Sequence, residues 1–188
     1  MPDNLHIALL HYPAYNKRRE VVATAVANMD IHDIARAART YGIDRYYIVT
    51  PVESQRLFVE RLLTHWRPGG AGEGYNPARS EALKTVHIRE SLTQVVDELG
   101  SWSGRSVKTV ATGANMSGNL ISCSDLSRAI AEGGDDFLII FGTGWGMTQE
   151  TIAGADYRLE PLKGKAQYNH LSVRSAVAII ADRLCHVR

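Results

Sequence analysis

The stretch DFLIIFGTGWGMTQE, from Asp136 to Glu150, decides the fold of this chain. Its apolar run, Phe137 to Phe141, lies between an acidic turn and a glycine. A short apolar run bounded by turn residues is typical of a strand that is buried on both faces, as strands are in a parallel sheet. The stretch therefore predicts a strand in the interior of a parallel sheet.

Three glycines, Gly142, Gly144 and Gly146, follow this strand directly. Glycine accepts positive φ and lets a ligand approach the main chain closely. Thr148, followed by a glutamine and Glu150, indicates the start of a helix. A strand, a glycine turn and a helix in succession predict a ligand site at the carboxyl end of the strand. A tight turn that binds nothing explains the glycines alone equally well.

The rest of the chain alternates between short apolar runs and helical patterns. The apolar runs predict strands at Leu5–Leu10, Asp44–Thr50, Thr85–Ile88, Val107–Ala111 and Tyr157–Leu162. Helical spacing and capping residues predict helices at Asp30–Gly42, Ser54–Trp66, Ala78–Leu83, Ser91–Gly100, Ser124–Gly133 and Ser172–Leu184. Val21–Ala27 fits a helical turn or a strand, and the glycine-rich Arg67–Pro77 predicts an exposed loop. The alternation predicts one α/β domain, residues 1–188, with a mainly parallel sheet and helices on both faces.

Composition limits the partners of the chain. Of its 188 residues, 45% are apolar and 22% charged, with a net charge of +1, so nucleic-acid binding requires a local basic patch. The candidates are Lys17-Arg18-Arg19 and the group of Lys163, Lys165 and Arg174, although a solvated face explains either cluster at least as well. Two cysteines without metal-site spacing indicate a reducing cytoplasm. The histidines lack metal-ligand spacing, so no metal is expected, and no stretch predicts a signal peptide or a membrane span.

Three segments together resemble the SPOUT superfamily of S-adenosylmethionine-dependent RNA methyltransferases. The first is DIHDIARAARTYG, from Asp30 to Gly42, which resembles the SpoU-type amino-terminal motif. Arg36 and Gly42 match that motif, whereas Asp30 stands where the family usually has asparagine.

The other two segments are FLIIFGTGWGM, Phe137–Met147, and HLSVRSAVAII, His170–Ile180. They are similar to the cofactor loop and to the last knot loop with its helix. The matching residues are Gly142, Gly146, Leu171 and Ala176. The departures are Gly144 for glutamate, Ser172 for asparagine and Arg174 for serine. The chain also resembles a bacterial family of RNA methyltransferases with similar HDIARxxRTYG, FGTGWG and YNHLSVRSA segments.

The resemblance implies a deep trefoil knot in the carboxyl-terminal half and S-adenosylmethionine held by three loops. The residues implied to bind this cofactor are Thr112, Gly113, Phe141, Gly142, Thr143, Gly144, Gly146, Leu159, Pro161, Leu162, Leu171 and Ser172. A valine at Gly144 is expected to abolish cofactor binding and to leave the fold intact, because its side chain would fill the approach of the adenine.

The resemblance also implies an RNA substrate, tRNA or rRNA, and Arg36 as a catalytic residue. The helical pattern alone would make Arg36 a surface residue. A guanidinium is a poor base, so we expect it to clamp phosphate and to stabilise developing negative charge. Asp30 or Asp33 can accept a proton if the target is a base nitrogen, or can simply cap the helix. A ribose hydroxyl is the other possible target.

The implied assembly is a homodimer in which Arg36 of one subunit acts at the cofactor of the other. The residues expected to contact RNA are Arg39, Lys163, Lys165 and Arg174, with a salt bridge as the alternative for Arg39. Two other interpretations stay open. The glycines could be a dinucleotide fingerprint with Glu160 as its acidic residue. The departures at Asp30 and Gly144 would suit a non-catalytic RNA- or nucleotide-binding module.

Overall fold

A computed structural model describes residues 3–166 and 168–185 of the chain. Its strands are β1 (Leu5–Leu10), β2 (Ala14–Tyr15), β3 (Val21–Val22), β4 (Tyr46–Val49), β5 (Val86–Arg89), β6 (Ser106–Ala111), β7 (Asp135–Gly142) and β8 (Tyr157–Arg158). Its helices are α1 (Asn28–Thr40), α2 (Glu53–Trp66), α3 (Ala71–Tyr75), α4 (Pro77–Leu83), α5 (Leu92–Ser103), α6 (Cys123–Glu132), α7 (Gln149–Ala153) and α8 (Val173–Cys185).

Six of the strands form one sheet in the order β5-β4-β1-β7-β6-β8, and every neighbouring pair is parallel. The predicted central strand, β7, pairs with β1 and β6, so it lies inside the sheet. The register places Leu10 beside Gly142 and Ala111 beside Ile140. The carboxyl ends of β1, β6 and β7 therefore meet at one edge, which we call the carboxyl edge.

Helices cover both faces of this sheet, as predicted. One face carries the larger core, in which Ile34 of α1, Val59 of α2, Leu126 of α6 and Val177 of α8 pack on the strands. Leu99 of α5 lies in the core on the opposite face. Because β1 and β7 have helices on both sides, their side chains are apolar on both faces, which explains the continuous apolar runs in the sequence.

The strands β2 and β3 form a separate antiparallel hairpin between β1 and α1. Ala14 pairs with Val22 and Tyr15 with Val21. The segment Val21–Ala27, for which the sequence allowed a helical turn or a strand, is therefore a short strand followed by extended chain. We refer to residues 14–22 as the basic hairpin, because Lys17, Arg18 and Arg19 lie at its tip.

Several predicted boundaries were wrong. The helix from Ser91 does not end at Gly100 but continues to Ser103, because the left-handed residue that terminates it is Gly104, with φ of 71°. Ser122, not Ser124, caps α6, since its hydroxyl accepts the amide of Asp125. Of the expected strand Tyr157–Leu162, only Tyr157–Arg158 belongs to β8, and Leu159 adds a single bridge to Ile121. The loop Arg67–Pro77 contains the short helix α3.

Within the described ranges, the longest apolar helix is too short to cross a membrane. The trefoil knot stays a prediction.

Candidate cofactor and RNA site

The predicted cofactor turn continues β7 beyond the carboxyl edge. Gly142 is the last residue of β7, and Gly144 and Gly146 have φ angles of 60° and 100°. The amide of Gly146 donates to the carbonyl oxygen of Thr143 at 3.1 Å, which closes the turn. Both φ angles lie in the left-handed region that glycine favours. The turn therefore has the positive φ angles that its glycines predicted from the sequence.

The basic hairpin covers one side of this turn. The amide of Tyr15 donates to the carbonyl of Gly146, and the amide of Trp145 donates to the carbonyl of Tyr15, each at 2.9 Å. A Cβ atom on Gly144 would lie 2.9 Å from the Tyr15 carbonyl oxygen and 3.1 Å from Cγ2 of Thr24. Gly144 is thus required where the turn packs against the hairpin and the segment that follows it.

This contact corrects the expectation that valine at Gly144 leaves the fold intact. We expect Gly144→Val to lower the free energy of unfolding by roughly 2–4 kcal/mol, because it combines left-handed strain with a clash against backbone. Gly134 is a matched control, with φ of 96° and no atom within 4 Å of an added Cβ. Chemical denaturation of Gly144→Val and Gly134→Val measures the difference, and equal losses would contradict the packing argument.

A partly buried chain of polar side chains connects the turn to the end of β1. The hydroxyl of Thr143 lies 2.5 Å from that of Thr24 and donates to the carbonyl of Leu10 at 3.0 Å. Nδ1 of His11 lies 2.9 Å from the same Thr24 hydroxyl. Neither His11 nor Thr24 was predicted as a site residue. The available signal was a polar residue, His11, directly after an apolar strand that ends at the carboxyl edge.

The second predicted loop lies beside the first. Thr112 follows β6, and both its amide and its hydroxyl donate to the carbonyl of Ile140, at 3.1 and 2.9 Å. Its hydroxyl is therefore engaged within the sheet. Gly113 follows, and an added Cβ there would meet only the flexible side chain of Met116, at 3.1 Å. This loop offers a cofactor its backbone and little else.

The third loop begins where β8 joins β6. The amide of Leu159 donates to the carbonyl of Ala111 at 2.9 Å, which places Leu159 next to the Thr112 turn. The side chains of Leu159 and Phe141 are buried in the core, so only their backbone groups are available to a ligand. Pro161 and Leu162 are half-buried beyond them.

Ser172 caps α8, because its hydroxyl accepts the amide of Ser175 at 3.3 Å. The preceding Leu171 is exposed by 45% of its surface. Trp145, in the glycine turn, is exposed by 61%. An unpartnered aromatic or aliphatic side chain beside a glycine turn is a surface that a ligand or another chain can cover.

The predicted catalytic residues separate into a buried and an exposed group. Asp30 is buried, and its carboxylate accepts a hydrogen bond from Arg174 of α8 at 2.6 Å. Nε of Arg174 also lies 3.4 Å from Asp33, whose side chain is 47% exposed. Arg36 is 61% exposed and reaches Asp33 only at 3.8 Å. The N-cap of α1 is Ala27, so neither aspartate caps the helix, but Asp30 lies in the first turn, where a negative charge suits the helix dipole.

The residues expected to contact RNA have different surroundings. Arg174 is held by the two aspartates, which raise the pKa of its guanidinium. Arg39 forms a salt bridge with Glu81 at 2.7 Å, the alternative that the sequence left open. Lys163 and Lys165 are exposed on the loop before α8. Their contacts with RNA stay predictions.

The site residues fit an adenosyl cofactor with a short amino-acid tail. An added Cβ at Gly146 would meet no atom within 4 Å, so the backbone there faces open space. The adjoining turns present small residues and main-chain groups at Thr112, Gly113 and Thr143. Such a lining recognises adenine and a zwitterion by hydrogen bonds, without a charged side chain.

Burial lowers the pKa of His11 from 6.5 to about 4 despite the nearby Asp30 carboxylate. Its side chain is 1% exposed, and among the described residues Nε2 has no hydrogen-bond partner. His11 is therefore a neutral ring at the junction of β1, the glycine turn and α1.

This pKa predicts an acid-sensitive fold. The unfolded chain binds a proton on His11 near pH 6.5 and the folded chain only near pH 4, so acid favours unfolding. The contribution of the neutral ring is complete above pH 6.5 and is lost as the pH falls towards 4. Between about pH 7 and about pH 4.5 we expect a loss of about 2–3 kcal/mol. Urea unfolding of the wild type and of His11→Gln at both pH values measures this loss of unfolding free energy. An equal pH dependence in the two proteins would contradict its attribution to His11.

Two cavities, of about 220 and 570 Å³, lie at the opposite edge of the sheet. The smaller is lined by Arg45 and Thr85, which precede β4 and β5, and the larger by Asn4 and Gly134, which precede β1 and β7. Parallel α/β sheets bind ligands at their carboxyl ends, and neither cavity lies there. Within residues 3–166 and 168–185, no cluster of three or more histidine, cysteine, aspartate or glutamate side chains could hold a metal ion.

The fold is that of an α/β protein with a glycine turn at the carboxyl edge of a parallel sheet, where such sheets bind ligands. A family model described as "SAM-dependent RNA methyltransferase" matches residues 4–186. The chain belongs to this family. Its cofactor is S-adenosylmethionine and its activity is methyl transfer to RNA, which decides against the dinucleotide fingerprint and against the non-catalytic module.

Two relatives and one solved structure give further detail. A protein of Aquifex aeolicus without a stated function is 42% identical over 182 residues, which cover 97% of this chain and 88% of that protein. A protein of Nitratidesulfovibrio vulgaris, named tRNA (guanine-N(1)-)-methyltransferase, is 41% identical over 181 residues. The match covers 96% of this chain but 42% of that relative, so the chain spans about two-fifths of its length.

The solved structure is the SpoU methyltransferase AviRb from Streptomyces viridochromogenes in complex with AdoMet. It is 14% identical, with a TM-score of 0.56 over 98% of this chain and 58% of that chain. At this identity the likeness shows a shared fold. The resemblance to SPOUT methyltransferases is confirmed.

Proposed function

We propose that this methyltransferase acts on tRNA and that the carboxyl edge is its active site. The observation that supports the proposal most is the contact between Asp30 and Arg174, 2.6 Å apart, which joins the SpoU-like helix α1 to the start of α8. Through this contact the segment expected to act on the substrate lies beside the loops expected to hold the cofactor. The tRNA substrate is supported by the name of the relative from Nitratidesulfovibrio vulgaris.

The roles of the three α1 residues follow from their surroundings. Bound S-adenosylmethionine supplies an activated methyl group on sulfur, so the protein must position the nucleophile and remove its proton. Asp33 is half-exposed and can accept that proton from a base nitrogen or a ribose hydroxyl. Exposed Arg36 can hold a phosphate and stabilise negative charge that develops on the nucleophile. Asp30, buried against Arg174, holds α1 in place.

Methyl transfer to defined RNA tests the substrate. The purified chain is incubated with labelled S-adenosylmethionine and with tRNA or rRNA from cells that lack its gene. We expect label in tRNA, and nuclease digestion then identifies the nucleotide and the methylated atom. Label in rRNA alone would overturn the tRNA assignment, and no label in either RNA would overturn the active-site assignment.

We further propose that the chain is a single domain that works as a cytoplasmic homodimer. Met29 at the start of α1 is exposed by 61%, and Leu171 before α8 by 45%, so both flank the Asp30–Arg174 contact with apolar surface that a second copy can bury. Free cysteines at 123 and 185 support a reducing compartment. A dimer built on α8 would bring Lys163 and Lys165 of one subunit towards Arg36 of the other.

The dimer predicts complementation between two inactive proteins. One subunit carries Arg36→Ala, and the other carries Gly113→Leu, which places a side chain in the cofactor loop where only flexible Met116 lies close. If Arg36 acts in trans, the heterodimer has one complete site and about half the wild-type activity. A tandem-tagged heterodimer is purified and assayed beside both homodimers. No recovery, or full activity from a monomer, would rule out action in trans.

A further inference from the structure

The basic hairpin is fixed to the glycine turn by backbone bonds from β2, which lies between β3 and that turn. On one edge β2 pairs with β3, and on the other Tyr15 exchanges two hydrogen bonds with Trp145 and Gly146. Ala14 also forms a bridge with Met147. The hairpin and the glycine turn are therefore one small antiparallel unit at the carboxyl edge.

The tip of the hairpin has a defined conformation. Oδ1 of Asn16 accepts the amides of Arg18 and Glu20 at 2.8 and 3.0 Å, and its Nδ2 donates to the Glu20 carboxylate at 2.7 Å. Arg19 has φ of 64°, and its guanidinium lies 5.0 Å from the centre of the Tyr15 ring. The asparagine side chain thus organises the turn, and the basic side chains are displayed from a fixed backbone.

The three basic residues at this tip are exposed, and within the part of the chain that the structure describes they form no ion pair. Eight other arginines do pair with a carboxylate: Arg36, Arg39, Arg45, Arg56, Arg89, Arg105, Arg128 and Arg174. Glu20, the carboxylate within the hairpin, is bound by Asn16 instead. Three adjacent cations are left for an external anion, whereas most other arginines are neutralised locally.

We propose that Lys17, Arg18 and Arg19 bind phosphate groups of the RNA strand beside the target nucleotide. The assignment rests on the proposed function, because it takes the glycine turn as the cofactor site. A polyanion with regularly spaced charges suits three adjacent unpaired cations, and each neutralised phosphate releases counterions. Since the hairpin is bonded to the turn, the phosphates it holds lie at a fixed position relative to the methyl group.

Salt-dependent tRNA binding tests this assignment. The double variant Lys17→Ala, Arg18→Ala removes two exposed cations and leaves the Asn16 bonds in place. We expect the dissociation constant for tRNA to rise about tenfold and the slope of log affinity against log salt to become shallower by about 1.5. Calorimetric affinity for S-adenosylmethionine should not change.

A matched control is Arg61→Ala, Arg67→Ala, which removes two exposed arginines with no ion pair among the described residues. Both lie in the second half of α2 or just beyond it, and this helix runs from the end of β4 back towards the opposite edge of the sheet. The control should keep the wild-type affinity and salt slope for tRNA.

The outcomes separate the two proposals. Wild-type tRNA affinity and slope in the hairpin variant, or an equal loss in the control, would overturn the hairpin assignment even if methyl transfer is intact. A wild type that binds tRNA but transfers no methyl group overturns the proposed function, while the binding titration still decides the hairpin. A wild type that does not bind tRNA overturns both.

Discussion

Arg36→Ala is expected to reduce methyl transfer roughly 100- to 1,000-fold, which is the effect of removing one preorganised group that stabilises developing charge. The fold should not suffer, because the side chain is 61% exposed and its pair with Asp33 is long, at 3.8 Å. Exposed ion pairs of this kind contribute about 1 kcal/mol or less. Affinity for S-adenosylmethionine should stay at the wild-type value, since Arg36 lies on α1 and not in a cofactor loop.

Arg128→Ala is the matched control for this variant. Arg128 pairs with Asp125 three residues earlier on α6, and its side chain is 70% exposed. Arg128→Ala therefore removes one positive charge and one ion pair between residues three apart, as Arg36→Ala does, but from a helix outside the site. Single-turnover methyl transfer with saturating cofactor compares the two variants. Equal rates in the two variants would show that Arg36 has no specific role in the reaction.

Asp30→Asn is expected to destabilise the protein by about 2 kcal/mol, because it replaces a buried charge-assisted hydrogen bond with a weaker one. Arg174 would lose the stronger of its two carboxylate contacts, and α1 would be held less firmly against α8. Asp33→Asn is the comparison within the same site. Its side chain is half-exposed and lies 3.4 Å from Arg174, so we expect a loss below about 1 kcal/mol.

The two aspartate variants should separate stability from chemistry. Thermal unfolding ranks them for stability, and methyl transfer at a temperature where both are folded ranks them for activity. We expect Asp33→Asn to lose more activity and Asp30→Asn to lose more stability. The reverse order would make Asp30 the proton acceptor and Asp33 the structural residue.

Much of the fold could be predicted, because the buried parallel strands have a strong local signal. The run Leu5–Leu10 was predicted to the residue, and Gly42 was predicted as the end of α1, where it has φ of 73°. The bounds of the two-residue strands could not be predicted, because two residues are too few to show an alternating pattern. The end of α5 was wrongly predicted at Gly100, because the sequence alone does not distinguish a glycine inside a helix from one that terminates it.

The turns expected to form the site were predicted, but the contacts that connect them were not. The glycine turn and the start of α8 were located correctly, since their residue types are tied to backbone geometry. The contact of Asp30 with Arg174 joins residues 144 positions apart, and neither residue alone indicates the other. The same holds for Gly144, because the sequence does not show that an added side chain there would clash with the carbonyl of Tyr15.

The distance along the chain between Asp30 and Arg174 has a consequence for synthesis. A ribosome releases α1 with its carboxylate in water, and Arg174 follows Asp30 by 144 positions, so the guanidinium emerges much later. Until then α1 has no arginine from α8 to hold its first turn, and the start of α8 does not yet exist. A nascent chain therefore carries the SpoU-like helix α1 before its contact with α8 can form.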